Sequence, residues 1–168
     1  MAIVDPPHVR VAGLWDGVDD VAALRSFRCF AGAGAWYERE AEKVLRLATR
    51  LLASDDLDDH DRILLCERED ALLAVGVFSH ESERTAHLSF VGLRHDVHGA
   101  RIDAPDGPRV SDTFLESCLE DARQLGFQRV TAQVARDHKR SRAVLDRAGF
   151  APISRFDQDY DLWAIALA

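Results

Sequence analysis

Between an apolar run ending at Leu93 and a helical pattern opening at Ser111, the chain reads RHDVHGARIDAPDGPRV, with Gly99 and Gly107 among turn residues and Arg101 and Arg109 at the helix mouth. A helix N-terminus presents unpaired N–H groups and about half a positive charge, and glycines ahead of it let a phosphate reach the backbone. With arginines added, this combination suits a pyrophosphate. A long surface loop with ordinary turn glycines is the competing reading. Neither G-x-x-x-x-G-K-[ST] nor G-x-G-x-x-G occurs, which disfavours nucleoside triphosphate and dinucleotide folds. Just upstream, His87 and Ser89 fall on one face of an expected strand, and an imidazole of ordinary pKa about 6.5 suits proton uptake. Cys29, Cys66 and Cys118 lie far apart, with no C-x-x-C and no histidine at zinc-ligand intervals. They read as buried small hydrophobes, so no metal site and no disulfide framework is expected.

The elements that must position these residues are visible in the hydropathy pattern. From Ala35 to Ala53 apolar residues recur at three and four, opposite a charged face: an amphipathic helix, ended by SDDLDDHD. RILLCE, ALLAVGVFS and AHLSFVGL follow as strands of an antiparallel meander, apolar enough to be buried on both faces. Ser111–Leu125 is a second helix stopped by Gly126, RVTAQV a strand, RSRAVLDRA a third helix ending before Gly149, and QDYDLWAIAL a last strand. HVRVAGL reads as a first strand. The strands over 87–93 and 129–134, joined by a helical crossover, are expected to run parallel. The whole is an α/β (α+β) domain spanning residues 1–168, built on one mostly antiparallel sheet.

Of the 168 residues, 47% are apolar and 30% charged, which suits one globular domain. The 29 acidic against 21 basic side chains give a net charge of -8, which repels nucleic acid and favours a cationic partner or an amine. No apolar run has the length of a membrane span, and the first residues lack a signal-peptide pattern, so the expected location is the cytoplasm, with no membrane partner.

The order of these motifs resembles the GCN5-related N-acetyltransferases, whose signature runs from a strand through V-x-P-x-x-[QR]-x-x-G-x-[GA] into a helix. Aligned on the strand, Leu93, His95 and His98 take the Val, Pro and Gln/Arg places; aligned on the helix, Asp106, Arg109 and Ser111 take the last three. The two alignments differ by eight residues, so IDAPDGPR or a stretch near it is inserted. VARDHKRSRAVLDRAGF is similar to the family's V-x-x-x-N-x-x-[AS]-x-x-[LF]-[YF]-x-x-x-G-F, with His138 for the Asn, Ser141 for the small residue, and Leu145 where Tyr is frequent. The likeness covers about Ala71 to Leu167.

The resemblance implies a sheet splayed between its central parallel strands, flanked by helices, with acetyl-coenzyme A in the gap. It implies direct transfer of the acetyl group to an amine, on a small molecule, a peptide N-terminus or a lysine. The altered loop and Leu145 support the alternative of a non-catalytic coenzyme A-binding or regulatory module. The cofactor is expected along Val91, Gly92, Leu93, His98, Gly99, Arg101, Gly107, Arg109, Val110, Ser111, His138 and Ser141, with capping of the following helix as the favoured reading of His138. A strand N–H between Val91 and Leu93 would stabilise the oxyanion. Gly92 is either the bulge that opens the gap or a packing choice. His87 is the first candidate for the base, with Glu67 and His80 behind it, against a histidine that only hydrogen-bonds at the surface; Tyr160 is the candidate acid in place of the absent tyrosine, against a core or rim residue with the thiolate leaving unaided. Trp36 and Tyr37 wall the acceptor or belong to the core; Arg140 and Arg142 meet the 3'-phosphate or form a solvated face. The oligomeric state is left open, a homodimer included.

Overall fold

The computed structural model describes residues 2–13, 17–30 and 34–168. From the N-terminus its elements are β1 (Ile3–Val4), β2 (His8–Val11), α1 (Gly17–Ser26), α2 (Trp36–Ala53), β3 (Arg62–Arg68), β4 (Ala71–Ser82) and β5 (Thr85–Leu93). Then follow a 3-10 turn over His95–Val97, β6 (Arg101–Ile102), α3 (Val110–Gln124), β7 (Arg129–Ala135), α4 (Lys139–Arg147), β8 (Ala151–Arg155) and β9 (Tyr160–Ala166). Leu14, the last residue of the expected first strand, lies outside the described residues.

Seven strands form one sheet in the order β2-β3-β4-β5-β7-β9-β8, parallel at β5–β7 and antiparallel elsewhere. Both faces of its centre are covered, which is why β3 and β4 are apolar without alternation. Leu64, Cys66, Phe78 and Leu88 face the stripe Phe114, Leu115, Cys118 and Leu119 of α3. Ile63, Leu65, Val75 and Phe90 face Leu24 of α1 and Leu45, Ala48 and Leu52 of α2. Each fully buried Leu or Phe contributes roughly 2 kcal/mol. The three cysteines are buried, as expected. Burial pushes the Cys29 and Cys66 thiols up to about 12, and the Cys118 thiol up as well.

Four elements depart from the sequence reading. Helix α1 goes unrecognised because GVDDVAALRS has little amphipathic contrast; Asp19 and Asp20 in its first turn, favourable to the helix dipole, are its sequence signal. Strand β8 is exposed along its whole length and contains Pro152, so it has neither alternation nor a full set of donors, as befits an edge strand. The β1–β6 pair is formed by two-residue strands ninety-odd positions apart, which no local pattern announces. Among the described residues no helix is long and apolar enough to cross a membrane.

Candidate functional site

Strands β5 and β7 lie side by side at Thr85–Arg129, Ala86–Val130, His87–Thr131 and Leu88–Ala132, and there their pairing stops. Beyond it, Ser89–Leu93 and Gln133–Ala135 are no longer partners, so β5 presents an open backbone edge. The cause lies on β5. Val77 of β4 faces Phe90 while Phe78 faces Leu88, which makes Ser89 an extra residue. A bulge bends and twists its strand, and this one also reverses the facing: Leu88 packs toward α3, Phe90 toward α2. The sequence reading offered Gly92 as the bulge or as a packing choice; the bulge is at Ser89, and Gly92 serves packing. A Cβ there would stand 2.4 Å from Cys29 Sγ and 2.5 Å from the Phe90 ring.

The loop after β5 is a closed excursion. The Val110 N–H donates to the Ala100 carbonyl at 3.1 Å, so the chain entering residue 101 and the chain leaving residue 109 meet. Within the excursion, Arg101 N–H bonds Ala2 O (3.0 Å), Asp103 N–H bonds Val4 O (2.8 Å) and Ile102 N–H bonds Pro108 O (2.9 Å). Arg101 Nη1 donates to Gly107 O at 2.9 Å, and a Cβ on Gly107 would fall 2.0 Å from Ile102 O. Arg101, Gly107 and the Val110 amide, expected at a phosphate, are therefore committed to the loop itself. Removing 101–109 would join Gly99-Ala100 to Val110-Ser111. Gly99 has φ +76° with open space where a Cβ would point, and neither its amide nor that of Ser111 meets an acceptor among the described residues. Half-buried Arg109 occupies the N-cap position of α3 without a side-chain cap. The Ser111 hydroxyl donates to Asp112, which also takes a two-pronged contact from Arg147 at 2.7 and 2.9 Å. Burial pushes the Asp112 carboxyl up, but these contacts outweigh it and hold it below its ordinary value.

On the other arm of the fork stands the start of α4. Here His138 occupies the N-cap position, yet its side chain caps nothing; it stacks on Tyr37, centroids 4.3 Å apart at 27°. Half-buried Ser141 lies in the first turn. Arg140 Nη1 approaches His98 Nδ1 at 2.5 Å while His98 Nε2 lies 3.0 Å from Leu93 O. A carbonyl only accepts and a guanidinium only donates, so His98 carries its proton on Nε2 and is neutral. Burial, then the Arg140 charge, lowers its pKa. Arg140 and His98 thus bridge the two arms at the mouth of the fork. Arg142 is committed instead to the Arg136 carbonyl, at 2.8 Å, and to the Trp163 ring, 5.7 Å from its centroid. Leu145 is a core residue.

The candidate acid and bases fall in four places. His87 sits on the rung before the parting, on the α2 side of the sheet, with Nδ1 2.8 Å from the Thr131 hydroxyl. Burial holds its pKa below the ordinary value. Glu67 is two strands away, and both of its oxygens are held by Arg10, at 2.8 and 2.9 Å; the same guanidinium clasps buried Asp20 of α1. His80 points to Asp61 on the opposite face. Tyr160, opposite Ala135 at the end of β7, packs edge-on against Trp36, centroids 5.1 Å apart. Burial, then Glu40 and nearby aspartates, raises its pKa. Trp36, Tyr37, Tyr160 and His138 form one aromatic wall where the start of α2 meets the ends of β7 and β9. Two surface cavities of about 490 and 480 Å³ lie elsewhere, one beside Arg129 and Ile153 and one between α1 and α2.

No family model and no curated protein matches this sequence. Solved structures do. The GNAT domain of PAT from S. lividans superposes with a TM-score of 0.65 at 17% identity, covering 96% of this chain and 90% of that one. The PseH N-acetyltransferase of Campylobacter jejuni, in complex with acetyl coenzyme A, gives 0.64 at 9% identity, covering 96% and 100%. The PaiA N-acetyltransferase of Thermoplasma acidophilum, in complex with coenzyme A, gives 0.66 at 14% identity, covering 96% and 99%. At these identities the likeness is one of fold: this chain has the architecture of the GCN5-related N-acetyltransferases.

Proposed function

We propose that this chain, built on that architecture, is an acetyl-coenzyme A-dependent N-acetyltransferase acting on an amine. The observation that carries the reading is the parting of β5 and β7 after Leu88–Ala132. It leaves the strand edge from Ser89 to Leu93 free to pair with an extended amide-bearing arm, as a missing strand would. A pyrophosphate fits where Gly99 faces open space and the Gly99 and Ser111 amides lack acceptors, at the positive end of α3. Arg140 supplies the cation there, with Arg109 beside the helix start, while His138 and Ser141 flank the arm. The excursion over 101–109 keeps its own hydrogen bonds and serves as a buttress.

Acetyl-coenzyme A, when bound, supplies the acetyl group as a thioester. The chain's own part is to orient and to move protons. A β5 amide between Val91 and Leu93 would donate to the thioester carbonyl oxygen, a kind of contact worth roughly 3–4 kcal/mol where measured. His87, neutral at pH 7, takes the proton of the acceptor amine. Tyr160, protonated because burial and nearby carboxylates raise its pKa, returns a proton to the leaving sulfur. Glu67 is assigned a structural role, because Arg10 occupies its oxygens. The net charge of -8 favours cationic acceptors.

The test is a melting curve with acetyl-coenzyme A followed by thiol release across an amine panel. Ligand at 100 times its dissociation constant adds about 2.7 kcal/mol to the folded state. Stabilisation with amine-dependent thiol release supports the enzyme. Stabilisation without release points to the binding module that Leu145 favours, and no stabilisation removes both.

A further inference from the structure

We propose that Thr131 and Glu81 are positioning residues for His87, fixing its ring with the proton on Nδ1 and the free lone pair on Nε2. The proposal rests on the reading of His87 as the proton acceptor, and extends it to two residues outside that reading.

Three groups form a chain across three strands. His87 Nδ1 lies 2.8 Å from Thr131 Oγ1, and Thr131 Oγ1 donates to Glu81 Oε2 at 2.9 Å. The proton inventory fixes the direction. A carboxylate only accepts, so the one hydroxyl proton of Thr131 goes to Glu81; the oxygen then accepts, and the proton in the other contact must belong to Nδ1. Nε2 has no protein partner among the described residues. A neutral imidazole in this tautomer is a base at Nε2, whereas the opposite tautomer has no lone pair there to offer. The proton that leaves the amine nitrogen joins Nε2, the Nδ1 proton stays in place, and Glu81 balances the imidazolium charge through Thr131.

The surroundings are built to hold this chain. Thr131 is 4% exposed, so the hydroxyl cannot turn to water without breaking its contacts. Its rung with His87 is one short of the parting, where the strands are still locked together. On β4 the register slips again between His80 and Ser82, making Glu81 an extra residue at a second bulge, and its carboxylate reaches over β5 to β7. Glu81 is the charged group whose field reaches His87. The neighbours across the adjoining strands, Ser79 on β4 and Thr131 on β7, are neutral, and Ala164 of β9 lies beyond Thr131.

The experiment uses the full chain labelled with ¹⁵N. In the wild type the His87 ring should show Nδ1 protonated and Nε2 bare at neutral pH; a wild-type ring protonated on Nε2 overturns the proposal whether or not the chain turns over any amine. Thr131→Val, nearly isosteric, should mix the tautomers and lower kcat/KM at least about tenfold, because the wrong tautomer cannot accept the proton. Thr131→Ser should restore both. Glu81→Gln keeps an acceptor oxygen but loses the charge, so it should leave the ring proton on Nδ1 while moving the acid limb of the kcat/KM profile about half a unit lower. If Thr131→Val changes neither tautomer nor pH profile, the chain is merely structural and the proposal falls. Absence of acetyl transfer by the wild type would instead strike the enzyme reading, leaving the tautomer measurement to decide this one.

Discussion

Leu88 and Ala132 form the last rung that β5 and β7 share, and the next residue of β5, Ser89, is the one its bulge inserts. A single extra residue therefore ends the pairing, turns Phe90 toward α2 and frees the backbone that a cofactor arm would need. The arms stay parted, yet Arg140 and His98 link them at the mouth.

That link makes Arg140 the first residue to test for anion recognition. Arg140→Ala should weaken acetyl-coenzyme A about tenfold by calorimetry, the loss of one charge-assisted contact of about 1.5 kcal/mol. Arg142→Ala should leave cofactor affinity in place, since Arg142 is held by Trp163 and the Arg136 carbonyl. Equal effects from both would remove Arg140 from the proposed pyrophosphate site.

His87 and Glu67 separate cleanly by mutation. His87→Ala should cost about 100-fold in kcat/KM, in the range of a lost general base. Glu67→Gln should retain kcat/KM but lose about 1–3 kcal/mol of stability in a denaturant titration, because it uncouples Arg10 and leaves Asp20 to balance it alone. A catalytic collapse in Glu67→Gln with stability intact would reverse the assignment.

Tyr160→Phe keeps the packing against Trp36 and removes the proton. We expect kcat to fall about 10–100-fold with the alkaline limb of its pH profile flattened, while acetyl-coenzyme A affinity is unchanged. An unaltered kcat means that the thiolate leaves unaided.

Acid should loosen the fold at mild pH. Burial is the leading cause that lowers the pKa of His87, His98 and His138 in the folded chain. Unfolded, each binds a proton below about pH 6.5, so the unfolded state holds more protons there and stability falls as the pH drops from about 6.5. Asp20 and Asp112, whose folded values are depressed below 3.8, take no part until the pH is lower still. Melting temperatures between pH 7 and 5 should decline, and His98→Gln should flatten the decline. A flat profile in the wild type would contradict the burial of these rings.

Gly92→Ala should destabilise by about 1–3 kcal/mol, as overpacking does, because the new methyl meets Cys29 and Phe90. Adding Cys29→Ala should recover part of the loss in a double-mutant cycle. A neutral Gly92→Ala would show that β5 can move away from α2 at low cost.

Much of this architecture is written in local pattern. The apolar stripe of α2 and that of α3, the apolar runs of β3, β4 and β5, and the glycines after α3 and α4 follow from periodicity and capping alone. The order of two short motifs around Leu93 and His138 suffices to suggest the fold. Even the excursion in the loop is legible, as the eight-residue mismatch between two alignments. Other features depend on partners distant in sequence. The site of the bulge is set by how β4 and β5 align their faces between two helical layers, so Ser89, unremarkable in sequence, opens the fork while Gly92 fills a tight contact. Arg101 and Gly107 have the types a phosphate site would use, but contacts within the loop claim them, the Arg101 guanidinium on the Gly107 carbonyl and Gly107 against the Ile102 carbonyl. Glu67 is an ordinary carboxylate until Arg10 folds onto it. Periodicity fixes which way a side chain points along its own element; only the register between elements decides which side chains meet, and hydrogen-bond chemistry at this site is decided by those meetings.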